Sequence, residues 1–154
     1  MRALTIEEKV PLVLVVGFDG TEPAQRALRS AVDLLQQRPG RMEVVFVGHV
    51  PRTVALAAQA IQAVREGLDT EERDLAKKAD EILRDTDVKW RFQRRNGEIA
   101  PELLAAGQEQ LDSEGPSTHV VVVVGGSAHK IDRYLNSIPA KVIRHDRFEV
   151  FVVP

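Results

Sequence analysis

Short apolar segments alternate with longer amphipathic stretches along most of this chain. The apolar segments, which predict β-strands, are residues 12–18, 42–50, 87–95, 119–125 and 148–153. The amphipathic stretches, which predict helices, are residues 22–37, about 54–84, about 100–111 and about 131–145. Strands that alternate with helices predict a mostly parallel sheet with helices on both faces.

Three segments predict further details of the strands and helices. Residues 120–124 are a run of five valines, and such a run without alternation predicts a strand buried on both faces. Residues 88–93 alternate apolar and polar instead, which predicts a half-exposed strand at a sheet edge. Gly67 lies inside the second helical pattern. It predicts an interruption there, either between two helices or between a loop and a helix.

Composition narrows the class of protein. With 154 residues and a net charge of −2, the chain is expected to form one domain with no nucleic-acid partner and no membrane partner. It contains no cysteine, which excludes disulfides, thiolate catalysis and cysteine metal sites. The four histidines lack the spacing of a metal site. Because residues 1–9 mix charges and lack an apolar signal core, we expect a cytoplasmic protein.

The first candidate ligand residues follow the first strand. Gly17 is followed by Phe18 and then by Asp19-Gly20-Thr21, after which an alanine-rich helical pattern begins. In an open parallel sheet the ligand crevice lies at the carboxyl ends of the strands, so Asp19 and Thr21 are expected beside it. The alternative is purely structural, because either side chain can cap the helix by accepting backbone N–H bonds.

A second candidate site follows the fourth strand. Residues 125–127, Gly-Gly-Ser, form either a phosphate-binding loop or an ordinary turn. His129, Lys130 and Arg133 either supply positive charge to a phosphate or belong to a solvated helix start. Nowhere does local spacing place a nucleophile beside a base, so we do not expect an enzyme.

The order of these motifs resembles that of the universal stress protein family over nearly all of the chain, residues 13–154. The first strand ends in Val-Gly-Phe-Asp-Gly-Thr, which is similar to the family's V-x-D-G-S. Gly97 precedes the third helix as in the family's G-x-P/A turn, and residues 137–154 are similar to the family's ending. The resemblance implies an N-terminal extension, 1–10, and one domain, 11–154. It implies the α/β fold of adenine nucleotide alpha hydrolase-like proteins, an open five-stranded parallel sheet in the order 3-2-1-4-5.

The chain departs from the family at the loop after the fourth strand, where nucleotide-binding members carry G-x2-G-x9-G-S/T. Ala128 or His129 stands in place of the second glycine, Asn136 replaces the third, and the second spacing is two or three residues short. Ser137 keeps the hydroxyl position. A phosphate-binding loop needs converging backbone N–H groups, which glycine allows. We therefore expect ATP to bind weakly, with a Kd above roughly 100 µM.

Carried over position by position, the resemblance places Asp19 and Val50 near the base and ribose of a bound nucleotide. It places four further residues near the phosphates, namely Gly125, Gly126, Asn136 and Ser137. ATP or another adenine nucleotide is the candidate cofactor that it implies, and no metal is expected.

Three hypotheses about function remain. The first is a universal stress protein that binds an adenine nucleotide, either ATP or cyclic AMP. The second is a stress-response protein of the same fold with a degenerate loop, weak or absent ATP binding, and a role carried by dimerisation or another partner. The third is a small nucleotide hydrolase, for which no acid–base pair is recognisable. The altered loop favours the second.

The last strand predicts a homodimer. Residues 148–153 are β-branched and aromatic and are expected at an edge of the sheet. An uncovered apolar edge offers backbone groups for pairing with a second copy, and the family resemblance also implies pairing there. The alternative is an edge covered by the N-terminal segment.

Overall fold

The computed structural model describes residues 10–49, 58–115, 117–126 and 148–154. Within these ranges it contains five strands and three helices. The strands are β1 (Leu12–Gly17), β2 (Gly40–Gly48), β3 (Trp90–Asn96), β4 (His119–Gly125) and β5 (Phe148–Val153). The helices are α1 (Glu22–Gln37), α2 (Ala58–Leu83) and α3 (Ile99–Glu114). The helix predicted over 131–145 lies outside the described residues.

The five strands form one parallel sheet in the order β3-β2-β1-β4-β5. This confirms the predicted order, with β1 at the centre beside β4. Val15 of β1 lies between Glu43 of β2 and Val122 of β4. The chain runs from β1 to β3 in one direction and then crosses back to β4, so the order reverses between β1 and β4. Such a reversal opens a crevice at the carboxyl ends of these two strands.

Helices cover both faces of the sheet. α1 and α2 pack on one face, where their alanines and leucines meet strand residues such as Leu14 and Val44. α3 packs on the other face through Leu103, Ala106 and Leu111. Right-handed crossovers explain this division, because connections that run in opposite directions along a sheet lie on opposite faces.

Local sequence sets the bounds of α1, which are those predicted. The Thr21 hydroxyl accepts a hydrogen bond from the backbone N–H of Ala24 at 3.4 Å, so Thr21 is the N-cap. Pro23 lies in the first turn, where its missing N–H leaves no intrahelical bond unmade. The capping alternative is thus correct for Thr21 and wrong for Asp19. Thr21 also lies beside the crevice at the carboxyl end of β1, as expected.

α2 is a single helix of 26 residues, so the predicted interruption at Gly67 is wrong. Gly67 is exposed, and no atom from the rest of the molecule lies within 4 Å of the position that a Cβ would occupy. Leu68, Leu75 and Leu83 are buried against the sheet. Their packing outweighs the roughly 1 kcal/mol that a glycine costs in a helix interior.

β3 is an edge strand, as its alternation predicted. Among the described residues it pairs with β2 alone. Trp90 and Phe92 are half-buried against the core on the α2 side, whereas the side chain of Arg91 is 73% exposed. None of the described helices is long and apolar enough to cross a membrane.

Candidate functional site

A cavity of about 470 Å³ opens at the carboxyl ends of β1 and β4, where the strand order reverses. One side is formed by Phe18 and Asp19 after β1 and by Gly125 and Gly126 at the end of β4. The floor is formed by strand valines such as Val45. Asp19, Gly125 and Gly126 were all predicted as site residues, and the fold brings these three to one cavity.

Asp19 is fixed by the turn that follows it. Its Oδ1 accepts two hydrogen bonds from Thr21, one from the backbone N–H at 3.0 Å and one from the hydroxyl at 2.5 Å. Gly20 between them has a φ of 78°, a conformation that glycine adopts without strain. Within the described residues the second carboxylate oxygen, Oδ2, has no such partner. Asp19 is exposed and can therefore offer this oxygen to a ligand.

The two glycines have structural reasons for their positions. A Cβ on Gly125 would lie 2.1 Å from the carbonyl oxygen of Pro23, so glycine lets β4 approach the first turn of α1. Gly126 has a φ of 148°, and its N–H donates to the carbonyl of Val153 at 3.1 Å. The N–H of Gly126 is thus already engaged within the sheet rather than free to bind a phosphate.

The remaining predicted site residues, Val50, Asn136 and Ser137, lie outside the described residues. The same is true of residues 127–133, which include the charged side chains considered for phosphate binding. The base end of the predicted site is therefore described in part, through Asp19, and the phosphate end only through its two glycines.

The opposite wall of the cavity is the first turns of α3, which the sequence did not predict as part of the site. Ile99, Ala100, Leu103 and Leu104 line it. Ile99 is 45% exposed, whereas Leu103 and Leu104 are buried. The signal available in the sequence was the apolar residue directly after the Gly97 turn, but helical periodicity alone does not separate a cavity wall from a core contact.

The other end of α3 packs on the same face of the sheet through charges. Glu43 of β2 is completely buried. It pairs with Arg41 at 2.5 Å and with Arg91 at 2.7 Å. Arg41 also donates to the side chains of Gln110 and Glu114, the latter at 2.9 Å. Arg91 donates to the Glu43 carboxylate, and this hydrogen bond raises the pKa of Arg91 above its ordinary value. We call these five residues the ionic cluster.

Two consecutive arginines on β3 tie the flanking helices to the sheet edge. Arg94 pairs with Asp69 of α2 at 2.6 Å, and this hydrogen bond raises the pKa of Arg94. Arg95 points to the opposite face and pairs with Glu102 at 2.8 Å and with Glu109 at 2.9 Å. The hydrogen bond with Glu109 is the main cause of a raised Arg95 pKa. Since Glu102 and Glu109 lie two turns apart on one face of α3, Arg95 fixes the position of that helix.

The groups available in the cavity limit its chemistry. Asp19 is the only ionisable side chain among the described residues that line it. In the described ranges, no group of three or more His, Asp or Glu side chains is placed to hold a metal ion. The described lining therefore offers one carboxylate on Asp19, one hydroxyl on Thr21, backbone groups and mostly apolar side chains. A planar ring with apolar faces and polar edges is complementary to such a set.

The protein family of this chain is shown by its match to a family model. The model of the universal stress protein family matches residues 13–154. This chain belongs to the universal stress protein family. No curated protein matches the chain in sequence.

Three solved universal stress proteins are similar in fold. The protein UspA from Lactobacillus plantarum is 16% identical with a TM-score of 0.67, over 94% of this chain and 99% of its own. A protein from Archaeoglobus fulgidus, solved in complex with dAMP, is 17% identical with a TM-score of 0.55, over 94% and 98%. A universal stress protein solved in complex with cAMP is 20% identical with a TM-score of 0.53, over 93% and 97%. At these identities the likeness shows the fold.

Proposed function

We propose that this chain is a non-catalytic universal stress protein that binds an adenine nucleotide weakly in the cavity beside Asp19. The observation that carries the proposal is the cavity itself, about 470 Å³ at the point where the strand order reverses. Open α/β sheets bind ligands at such points. Two relatives in the family were solved with dAMP and with cAMP, which supports an adenine nucleotide as the ligand.

Weak affinity for the phosphates follows from the loop after β4. The N–H of Gly126 donates to Val153 at 3.1 Å, which removes one donor from a phosphate-binding loop. The sequence beyond it lacks the family's second and third glycines. Each lost charge-assisted hydrogen bond costs about 1.5–3 kcal/mol, so the loss of two weakens binding by roughly 100-fold or more.

Titration calorimetry with ATP, ADP, AMP and cyclic AMP tests this proposal. We expect a Kd above roughly 100 µM for ATP and little gain from the second and third phosphates. Purification with stoichiometric ATP, or a low-micromolar Kd, would show that the loop is intact in function and would restore the first hypothesis.

Replacement of Asp19 tests the base and ribose end of the site. In Asp19→Asn the amide oxygen still accepts from Thr21, but the outward group becomes an NH₂ donor in place of an acceptor. We expect the affinity for AMP to fall about tenfold, since a charge-assisted hydrogen bond is lost. Asp33→Asn is the matched control, because Asp33 is an exposed aspartate on α1 that does not line the cavity. Equal losses in both variants would remove Asp19 from the site.

A regulatory rather than catalytic role is part of the proposal. The single ionisable side chain among the described cavity residues provides no base and nucleophile pair. We expect phosphate release from ATP to equal that of a blank without protein, and release above the blank that is lost in Asp19→Asn would establish a hydrolase instead. A cytoplasmic location is consistent with the absence of cysteine in all 154 residues.

A homodimer through β5 is the second part of the proposal. β5 pairs with β4 alone among the described residues, and its Val150 and Phe151 are 37% and 47% exposed. An apolar edge of this kind favours pairing with a second copy. We expect sedimentation to give a dimer at tens of micromolar and Phe151→Lys to shift it to a monomer. A monomer in the unmodified protein at that concentration would contradict the dimer.

A further inference from the structure

We propose that the first turn of α3 is the specificity wall of this cavity, and that Ile99 recognises the ligand by packing against the apolar face of its base. This inference rests on the proposed function and goes beyond it, because it names the residue that lets the cavity prefer a ligand with a base over a ribose phosphate without one. The base and the ribose phosphate of a nucleotide then bind to different walls of the cavity.

Ile99 is an isoleucine that the core of the protein does not use. It is 45% exposed at the first position of α3, while Leu103 one turn later is 3% exposed and anchors the helix. Leu104, which lines the same wall, is also buried. An aliphatic side chain at the mouth of a cavity, left open to solvent, gains free energy when a ligand covers it.

The wall that carries Ile99 is held in place from three directions. The N–H of Gly97 donates to the carbonyl of Gly48 at 3.0 Å, which ties the turn before α3 to the end of β2. Arg95 of β3 holds Glu102 at 2.8 Å. Leu103 presses on β1, since a Cβ on Gly17 would lie 2.9 Å from its Cδ1. A wall fixed in this way loses little conformational freedom when a ligand binds.

The two walls differ in chemistry. On the β1 and β4 side, Asp19 offers its second carboxylate oxygen, Oδ2, beside the backbone of Gly125 and Gly126. On the α3 side, Ile99 and Leu103 offer aliphatic surface alone. A purine nucleoside has a base with flat apolar faces and a ribose that donates hydrogen bonds, so it is complementary to both walls at once. A ribose phosphate without a base has nothing to place against α3, and we expect the cavity to reject it.

A nuclear magnetic resonance titration of the ¹⁵N-labelled full chain tests the inference, with AMP and ribose 5-phosphate as probes. We expect the backbone signals of Ile99 and Leu103 to shift with AMP, and Ile99→Ser to weaken AMP about tenfold, equivalent to ~1.4 kcal/mol. Ile99→Leu should restore most of the affinity, because it restores the aliphatic volume. Ile61→Ser is the matched control, since Ile61 is a partly exposed isoleucine on α2 that does not line the cavity.

The outcomes separate this inference from the proposed function. If AMP binds the unmodified protein and Ile99→Ser retains that affinity within twofold, the wall plays no part and the inference is wrong while the proposed function stands. If ribose 5-phosphate binds as tightly as AMP, base packing is likewise excluded. If AMP does not bind the unmodified protein at millimolar concentration, the proposed function fails and the inference fails with it. A tenfold loss of AMP affinity in Ile99→Ser and an unchanged affinity in Ile61→Ser support it.

Discussion

The two ends of α3 meet the same face of the sheet in opposite ways. At its first turns, Ile99 and Leu103 stand across a cavity from Asp19, and aliphatic surface is left uncovered. At its last turns, Gln110 is buried in the ionic cluster around Glu43. One helix thus forms an open apolar end at the carboxyl edge of the sheet and a closed charged end nearer the amino edge.

The charged end of α3 explains how apolar surface at its other end can stay uncovered. A buried carboxylate costs free energy unless it is paired and hydrogen-bonded. Glu43 has two arginine partners, and the described residues contain no buried side-chain nitrogen or oxygen without a hydrogen bond. The closed end therefore holds α3 in one position. Because the helix is fixed there and at Arg95, its first turns need not collapse onto the sheet, and the cavity stays open.

The largest effect is expected at the open end, from Gly125→Ala. The new Cβ would lie 2.1 Å from the carbonyl oxygen of Pro23 and 2.3 Å from its carbon, and neither backbone can move without shifting β4 from α1. We expect a loss of about 3 kcal/mol or more in the free energy of unfolding, measured by urea denaturation. Gly67→Ala is the matched control and should stabilise the protein by about 0.5–1 kcal/mol, since that position is open.

Gly125→Ala also separates two explanations of this glycine. If Gly125 served a phosphate alone, the variant would fold with unchanged stability and lose only nucleotide affinity. A stable variant would therefore refute the packing role that the close approach to Pro23 assigns to it.

The next largest effect is expected at the closed end, from Arg41→Ala. The substitution removes a partner from buried Glu43 and leaves buried Gln110 without its donor. Arg91 still holds Glu43 from the exposed side, so we expect a loss of about 2–3 kcal/mol in the free energy of unfolding. Arg84→Ala is the matched control. Its pair with Asp80 is about half exposed at 2.8 Å and should be worth under about 0.5 kcal/mol.

AMP affinity in Arg41→Ala shows whether the two ends of α3 act independently. If the two ends act independently, the affinity stays within twofold while the stability falls. A parallel loss of affinity at a temperature where the variant is fully folded would show that the closed end sets the position of the cavity wall.

Much of the fold could be predicted because its signals are local. A run of five valines predicts a buried strand, and the capping residue Thr21 and the following Pro23 mark the start of α1 within a few positions. The interruption predicted at Gly67 was wrong. A glycine does lower the stability of a helix interior, but the packing of leucines along the whole of α2 outweighs that cost. That packing depends on the sheet, which no short window of sequence contains.

The site could be predicted only where its residues follow strands directly. Asp19 and the glycines after β4 were found because the carboxyl ends of parallel strands share one edge. The ionic cluster was missed because Glu43 lies among apolar residues and its partner Arg91 is 48 positions away. Ile99 was missed because its exposure depends on where α3 lies against β1. Neither property is encoded in local periodicity.

The smallest effect is expected where the two ends are joined, at Arg95. Its guanidinium pairs with Glu102 near the open end at 2.8 Å and with Glu109, two turns further along α3, at 2.9 Å. Lysine keeps the charge but lacks the planar fork that reaches two carboxylates at once. We therefore expect Arg95→Lys to cost about 1 kcal/mol in the free energy of unfolding. Arg94→Lys is the matched control, since Arg94 also pairs with two carboxylates, Asp69 and Glu72, but on α2.

The effect of Arg95→Lys on ligand binding decides whether α3 is one rigid element. The first turn, with Ile99, keeps its tie to β2 through Gly97 but loses the bond that Glu102 makes with the sheet edge. We expect AMP affinity to fall two- to fivefold in Arg95→Lys, roughly 0.4–1 kcal/mol, and to stay unchanged in Arg94→Lys. An unchanged affinity in both variants would mean that Leu103 and Gly97 alone position the wall, and that the two ends of the helix are separable.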